Sequence, residues 1–215
     1  MPVSVTLDMV GSRRLPDRPA AQHALDAAIA RVESDLPLAV RPLAPTVGDE
    51  QQGIYPHLDA ALASLLLLQL ALPEGVECRF GLGIGAVGVV PSSSGGIPDG
   101  PGWWAARAAI DRVHALEQRA VPSARTWVVA HADEPPLAHE SARQANAYLL
   151  ARDQLVGAMS ERARRLTYGR CLGVTQRTLA EEEGITQSAV SQTLANSGSS
   201  AIVEGFRLLR VAPED

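Results

Sequence analysis

Apolar and polar positions recur along this chain with two periods, near two and near 3.6 residues, and the changes of period mark its elements. Val3–Val10 is rich in β-branched residues and predicts a strand, ended by Gly11-Ser12. Pro16-Asp17 is a helix start, and Ala21, Leu25, Ala28, Ile29 and Val32 follow at helical spacing to about Asp35. Leu38–Leu43 and Glu50–Tyr55 are short strands flanking Gly48-Asp49, a pair suited to a hairpin turn. His57–Leu72 is a helix stopped by Pro73, and Leu65–Leu68 makes its second half apolar on every side, so it must be well buried. Val76–Val90 is a strand region with glycines at 81, 83, 85 and 88, a density that points to bulging or to a close backbone approach such as a ligand's. Ser92–Gly102 reads as a Gly/Ser/Pro-rich loop, Trp103–Arg119 as a helix with Ala106, Ile110, Val113 and Leu116 inward, and Thr126–Ala130 as a strand. After a break at Asp133–Pro136, Ser141–Leu166 predicts one long amphipathic helix with Tyr148, Leu155, Met159 and Leu166 on a stripe.

The strand–helix–strand–strand–helix–strand order at the start is the ferredoxin-like plan, so the fold class is α+β. It is followed by an all-α tail. Thr175–Glu183 predicts a helix, Gly184-Ile185-Thr186 a turn and Gln187–Ala195 a second helix, with Ser200–Val211 closing the unit. Ala180 sits where two helices cross, Gly184 where the turn needs positive φ, and Val190 where a plug between the helices belongs, while Thr175 and Thr186 are N-caps. These offsets form a helix-turn-helix. The expected division is an α+β domain at 1–136, a connecting or dimerisation helix at 137–170 and a helix-turn-helix domain at 171–215.

Composition changes this picture in three ways. All nineteen basic residues are arginine, so phosphate contacts must come from Arg, Ser/Thr, Asn/Gln or backbone N–H groups. Residues 1–140 carry ten Arg against sixteen acids, whereas 141–215 carry nine against eight, which suits an acidic body with a nucleic-acid-reading tail. Cys78 and Cys171 stand far apart in no metal-ligand spacing, no apolar run approaches the ~20 residues of a membrane span, and the start has no signal-peptide pattern. The cytoplasm is the expected location.

Two constellations carry candidate chemistry. Asp8 is a charge inside an apolar strand and Asp49 sits at the hairpin tip. In the ferredoxin-like plan both fall at one end of the sheet, where two carboxylates with substrate phosphates could hold Mg²⁺. The alternative is that Asp49 merely suits a turn and Asp8 caps local backbone. In the tail, Gln187, Ser188, Ser191 and Gln192 form a polar, acid-free face able to reach base edges of double-stranded DNA, with Arg177 and Thr186 placed for the backbone. A helical hairpin used for protein contacts is the alternative there.

Asp8 through Ser12, Val47 through Glu50 and the Gly-rich Arg79–Gly85 together resemble the palm of class III nucleotide cyclases. That resemblance implies metal binding by Asp8 and Asp49, a triphosphate cradle at Met9, Val10, Gly11 and Ser12, and a charge-stabilising role for Arg107. Trp103 stands where the cyclases carry an Asn, and their purine-selecting Lys has no counterpart. The whole chain is more specifically similar to the SatD family, through Asp8, the Gly48-Asp49-Glu50 turn, the Gly-rich strand, Asp99-Gly100-Pro101 and the tail residues Thr175-Gln176 and Gln187–Ser191. The expectation is a homodimeric DNA-binding transcriptional regulator whose palm senses a nucleotide or a divalent metal. The alternative is a metal-dependent nucleotidyl or phosphoryl transferase.

Overall fold

Strand β1 (Val3–Met9) is the centre about which the chain is built. Its alternation turns Val3, Val5, Leu7 and Met9 to one face, and all four are buried. β1 runs antiparallel between β3 (Gln51–Tyr55) and β4 (Cys78–Ile84). β2 (Arg41–Pro45) extends the sheet antiparallel beyond β3, and β7 (Thr126–Ala130) extends it parallel beyond β4, giving the order β2-β3-β1-β4-β7. With helices α1 (Arg18–Asp35) and α2 (Leu58–Ala71), the first four strands make the ferredoxin-like unit expected from the pattern. The computed structural model describes residues 1–46, 50–92 and 95–210.

The two faces of the sheet are packed differently. On one lie α1, α2 and α4 (Pro136–Gly157). Helix α2 starts at His57, whose Nδ1 accepts the Ala60 N–H at 3.2 Å, and its residues from Ala60 to Leu70 are all buried. It lies between the sheet and α5 (Glu161–Cys171), which explains a helix apolar on every side.

On the other face α3 (Pro101–Arg119) crosses β4 at backbone distance. A Cβ at Gly83 would run into the Gly102 carbonyl and the Ala106 nitrogen, and one at Gly81 into the Ala106 carbonyl and Ile110. The glycine-rich strand is therefore a helix-packing device, and the close approach foreseen there is made by α3. The segment after β4 also departs from expectation. Gly88–Ser92 (β5) and Gly95–Asp99 (β6) pair as a small separate hairpin where a loop was expected from Ser92 on.

Helix α4 is clamped to β7 by polar contacts. Asn146 accepts the Val128 N–H through Oδ1 at 2.8 Å and donates through Nδ2 to the Val128 carbonyl at 2.9 Å. Asp153 accepts the N–H groups of Arg125 and Thr126 at 2.8 and 2.7 Å and an Arg152 bond at 2.8 Å. The long helix expected over 141–166 is thus two. α4 ends at Gly157, and α5 starts afresh after Ser160, which caps it by accepting the Ala163 N–H at 3.2 Å.

The tail continues with α6 (Gln176–Glu183), α7 (Gln187–Asn196) and α8 (Ser199–Leu208). One core runs from Val3 in β1 to Phe206 in α8, and Leu166, Leu179, Ala180, Val190 and Leu194 form a second, smaller cluster in the tail. Among the described residues no helix is long and apolar enough to cross a membrane.

Candidate functional site

The first candidate site lies at the end of the sheet where β1 runs out. Asp8 shares with the buried Ser4 and Thr6 the face of β1 that α3 covers, and the register sets it opposite Arg79 on β4. The Arg79 Nη1 meets Asp8 Oδ2 at 3.0 Å, and its Nε donates to Glu117 Oε2 on α3 at 2.6 Å. Glu117 Oε1 lies 3.3 Å from Arg125 Nη1, and Arg125 Nε donates to Glu77 Oε2 at 2.9 Å. Five alternating charges thus run from Asp8 to Glu77. None of the four beyond Asp8 is visible as a group in the sequence, because strand register and the α3 crossing bring them together.

One step past the last β1–β3 pair, Leu7–Gln51, the register sets Glu50 opposite Asp8. Glu50 accepts from Gln52 Nε2 at 2.9 Å and forms an ion pair with Arg107 of α3. Arg107 and Asp8, chosen from sequence, therefore converge on one corner, with Glu50 between them. Arg107 is more than half exposed, so its pair with Glu50 contributes at most about 1 kcal/mol and leaves the guanidinium available to a ligand. Asp49, the other expected metal ligand, lies outside the described residues.

The expected phosphate cradle divides. The Met9 side chain is in the core, and the Val10 N–H donates to the Glu77 carbonyl at 2.8 Å. Gly11 is left-handed (φ 63°) and leads into a single 3-10 turn, Ser12–Arg14, closed by Arg14 N–H to Gly11 O at 2.7 Å. A left-handed residue followed by a right-handed turn lines successive N–H groups on one concave side, the backbone form that binds anions.

Among the described residues no three or more His, Cys, Asp or Glu side chains group as a metal would require. Asp8 and Glu50 each already face an arginine. Trp103, at the position of the cyclase Asn, is buried with the Arg41 guanidinium 5.2 Å from its ring centre, so it anchors the start of α3. Trp104 is exposed and donates through Nε1 to Asp99 at 3.0 Å.

The second candidate site is the tail. Thr175 and Thr186 cap α6 and α7 through the N–H groups of Thr178 and Ala189, both at 3.1 Å, and Gly184 ends α6 in the left-handed region at φ 64°. Ala180 and Val190 are buried between the helices. Gln187, Ser188, Ser191 and Gln192 are all exposed on one side of α7. Arg177 is exposed and pairs with Glu181 at 3.1 Å. Three acids, Glu181–Glu183, end α6, and the last is held in place: Arg165 of α5 grips both carboxylate oxygens of Glu183 at 2.7 and 2.9 Å, and this hydrogen bonding lowers the Glu183 pKa. The clamp turns that acid toward α5.

The model of the SatD family matches residues 3–156, from β1 to the end of α4, and stops short of the tail. No curated protein matches the chain. Among solved structures, a bacterial light-regulated adenylyl cyclase is similar at 15% identity, covering 56% of this chain and 71% of its own, with a TM-score of 0.42. The adenylyl cyclase CyaB from P. aeruginosa is similar at 12% identity, covering 55% of this chain and 81% of its own, with a TM-score of 0.36.

Proposed function

The chain belongs to the SatD family, and within that frame we propose that it is a DNA-binding transcriptional regulator whose palm senses a nucleotide or a divalent metal. The observation that carries the first half is the face of α7. Its exposed polar groups are amides and hydroxyls with no acid among them, mounted on a Thr186-capped helix that follows α6 across the left-handed Gly184 turn, which supports the helix-turn-helix reading. Gln187 and Gln192 are suited to adenine edges, and Arg177, Thr186, Ser188 and Ser191 to phosphates. Pairing of two copies would match a palindromic site.

The test is DNA affinity by fluorescence anisotropy across a salt series. Affinity should fall steeply with salt, and the Gln187→Ala/Gln192→Ala variant should bind specific sequence about tenfold or more weakly. Binding indifferent to both changes would remove the reader role.

For the palm, the supporting features are the Arg107 guanidinium, the Gly11 turn and Asp8 at one corner. A nucleoside triphosphate with Mg²⁺ should raise the melting temperature of the wild type and not of Asp8→Asn or Asp49→Asn. The same corner supports a second reading, metal-dependent nucleotidyl or phosphoryl transfer, with Asp8 and Asp49 on the metal and Arg107 opposite developing charge. Chromatography of the nucleotide after incubation separates the two: an unchanged nucleotide leaves the sensor, a new product the enzyme.

A further inference from the structure

The charge chain that begins at Asp8 is built unevenly. Its three inner members, Arg79, Glu117 and Arg125, are mostly shielded from solvent, and each lies between two opposite charges. Asp8 stands at the open end: its side chain is 35% exposed, against 10% for Arg79. The chain holds three acids and two arginines, so it carries one negative charge in excess. Without Asp8 the other four are matched, two against two. Asp8 can therefore give its charge to another cation without stranding a buried one.

Arg79 is placed to allow that exchange. Its Nε donates to Glu117 Oε2 at 2.6 Å, the shorter of its two ion pairs, and its Nη1 meets Asp8 Oδ2 at 3.0 Å. If Asp8 turns to another cation, Glu117 still neutralises the guanidinium. Asp8 itself suits Mg²⁺ or Mn²⁺, hard ions that take one or two carboxylates from a protein and the rest of their oxygens from water and phosphate. Such an ion would need the carboxylate that Arg79 now holds, and the two positive charges repel at contact distance.

We propose that Arg79 is a resident counter-ion of the palm site: a divalent cation binds at Asp8 only by driving Arg79 off the carboxylate and leaving it to Glu117. This role rests on the palm reading above and gives that site its regulation. Arg79 raises the concentration at which Asp8 accepts a bare cation, and Glu117 lowers it by keeping a partner for the displaced guanidinium. A cation that arrives with a phosphate ligand also meets Arg107, more than half exposed at the same corner. The device thus favours the combined ligand over the free ion.

The test is Mn²⁺ binding by the full-length chain, read as loss of the electron paramagnetic resonance signal of free Mn²⁺. Arg79→Met should bind Mn²⁺ about tenfold or more tightly than the wild type, the effect of removing one adjacent positive charge. Adding Asp8→Asn to that variant should remove the gain, which ties it to this carboxylate. Glu117→Gln should weaken binding about threefold or more, because Arg79 then has only Asp8 to pair with. Arg112→Met removes an exposed charge that faces Trp127 of β7 at 5.7 Å, and should change the affinity less than about twofold. A merely structural Arg79 would give a destabilised variant with unchanged or weaker binding. Circular dichroism checks folding, and Glu117→Gln decides the matter where Arg79→Met does not fold. Equal binding by the wild type, Arg79→Met and Glu117→Gln overturns the counter-ion role alone, as does an equal gain in Arg112→Met. Mn²⁺ bound through Asp8 by none of the variants overturns it together with the metal reading of the palm.

Discussion

Asp153 shows how much of this structure hangs on single buried groups. It has no exposed surface, it lies beside an Arg152 that is 1% exposed, and its oxygens tie α4 to the backbone at the start of β7. Removing a buried carboxylate strands its cation, so Asp153→Ala should lower stability by about 3–5 kcal/mol, measured from denaturant midpoints. A loss below about 1 kcal/mol, the scale of a surface pair, would contradict this role. Nothing in the sequence marks Asp153. Arg152-Asp153-Gln154 reads as the polar side of an amphipathic helix, because a buried ion pair and a solvated one have the same letters. Cys171 makes the complementary case. Burial pushes its thiol up to about 12, against the opposing pull of Arg207 and Arg170. At pH 8 only roughly one molecule in ten thousand then carries the thiolate. Cys171 should resist iodoacetamide in the native protein and react promptly once unfolded, as mass spectrometry will report; fast native labelling would rule out this burial.

At the scale of elements, the contact between β4 and α3 is set by the absence of side chains. Gly83 faces the Gly102 carbonyl and Gly81 the Ala106 carbonyl, and backbone obstacles cannot rotate away as side chains can. Gly83→Ala should therefore cost about 3 kcal/mol, the upper part of the usual range for overpacking, and shift the start of α3 with Trp103. Ala at Gly157, whose Cβ would meet nothing within 4 Å, is the control and should be close to neutral. A thermal melt of both variants decides the comparison. The sequence did signal something unusual at these glycines, yet composition alone could not say whether the close neighbour was a ligand or a helix. Elements whose cues are local were legible. The caps Thr175 and Thr186, the turn at Gly184 and the alternation of β1 all specify structure within a few residues. The split between α4 and α5 was not read, since the apolar period continues across it, although Ser160 followed by Glu161 carries a helix-start signal. The convergence of Arg107 and Glu50 was half legible: the resemblance to cyclases pointed to Arg107, and only the packing of α3 across the sheet supplies its partner.

For the molecule as a whole, the question is whether the tail is a separate unit, as an expected boundary near residue 171 implies. Helix α5 has two working faces. Ala163, Tyr168 and Cys171 join the main core, while Leu166 joins the small tail cluster. Tyr168 also donates its hydroxyl to Asp35 of α1 at 2.6 Å, with the Arg31 guanidinium 4.2 Å from its ring centre. Farther along, Ile202, Val203 and Phe206 of α8 are buried in the same core as β1. Exposing those three side chains would cost about 5–9 kcal/mol together, comparable with the entire 5–15 kcal/mol stability of an ordinary domain. The tail should therefore not melt alone. The three tryptophans, at 103, 104 and 127, all lie in the palm, so fluorescence reports the palm, whereas far-ultraviolet circular dichroism is weighted toward the helices. Urea unfolding followed by the two signals should give coincident midpoints and a single transition. Non-coincident curves, with the helical signal lost first, would show that the tail docks weakly. Coincidence would mean that α8 holds the tail to the palm as one cooperative unit, so that α7 is not released from the palm by a local melting of the tail.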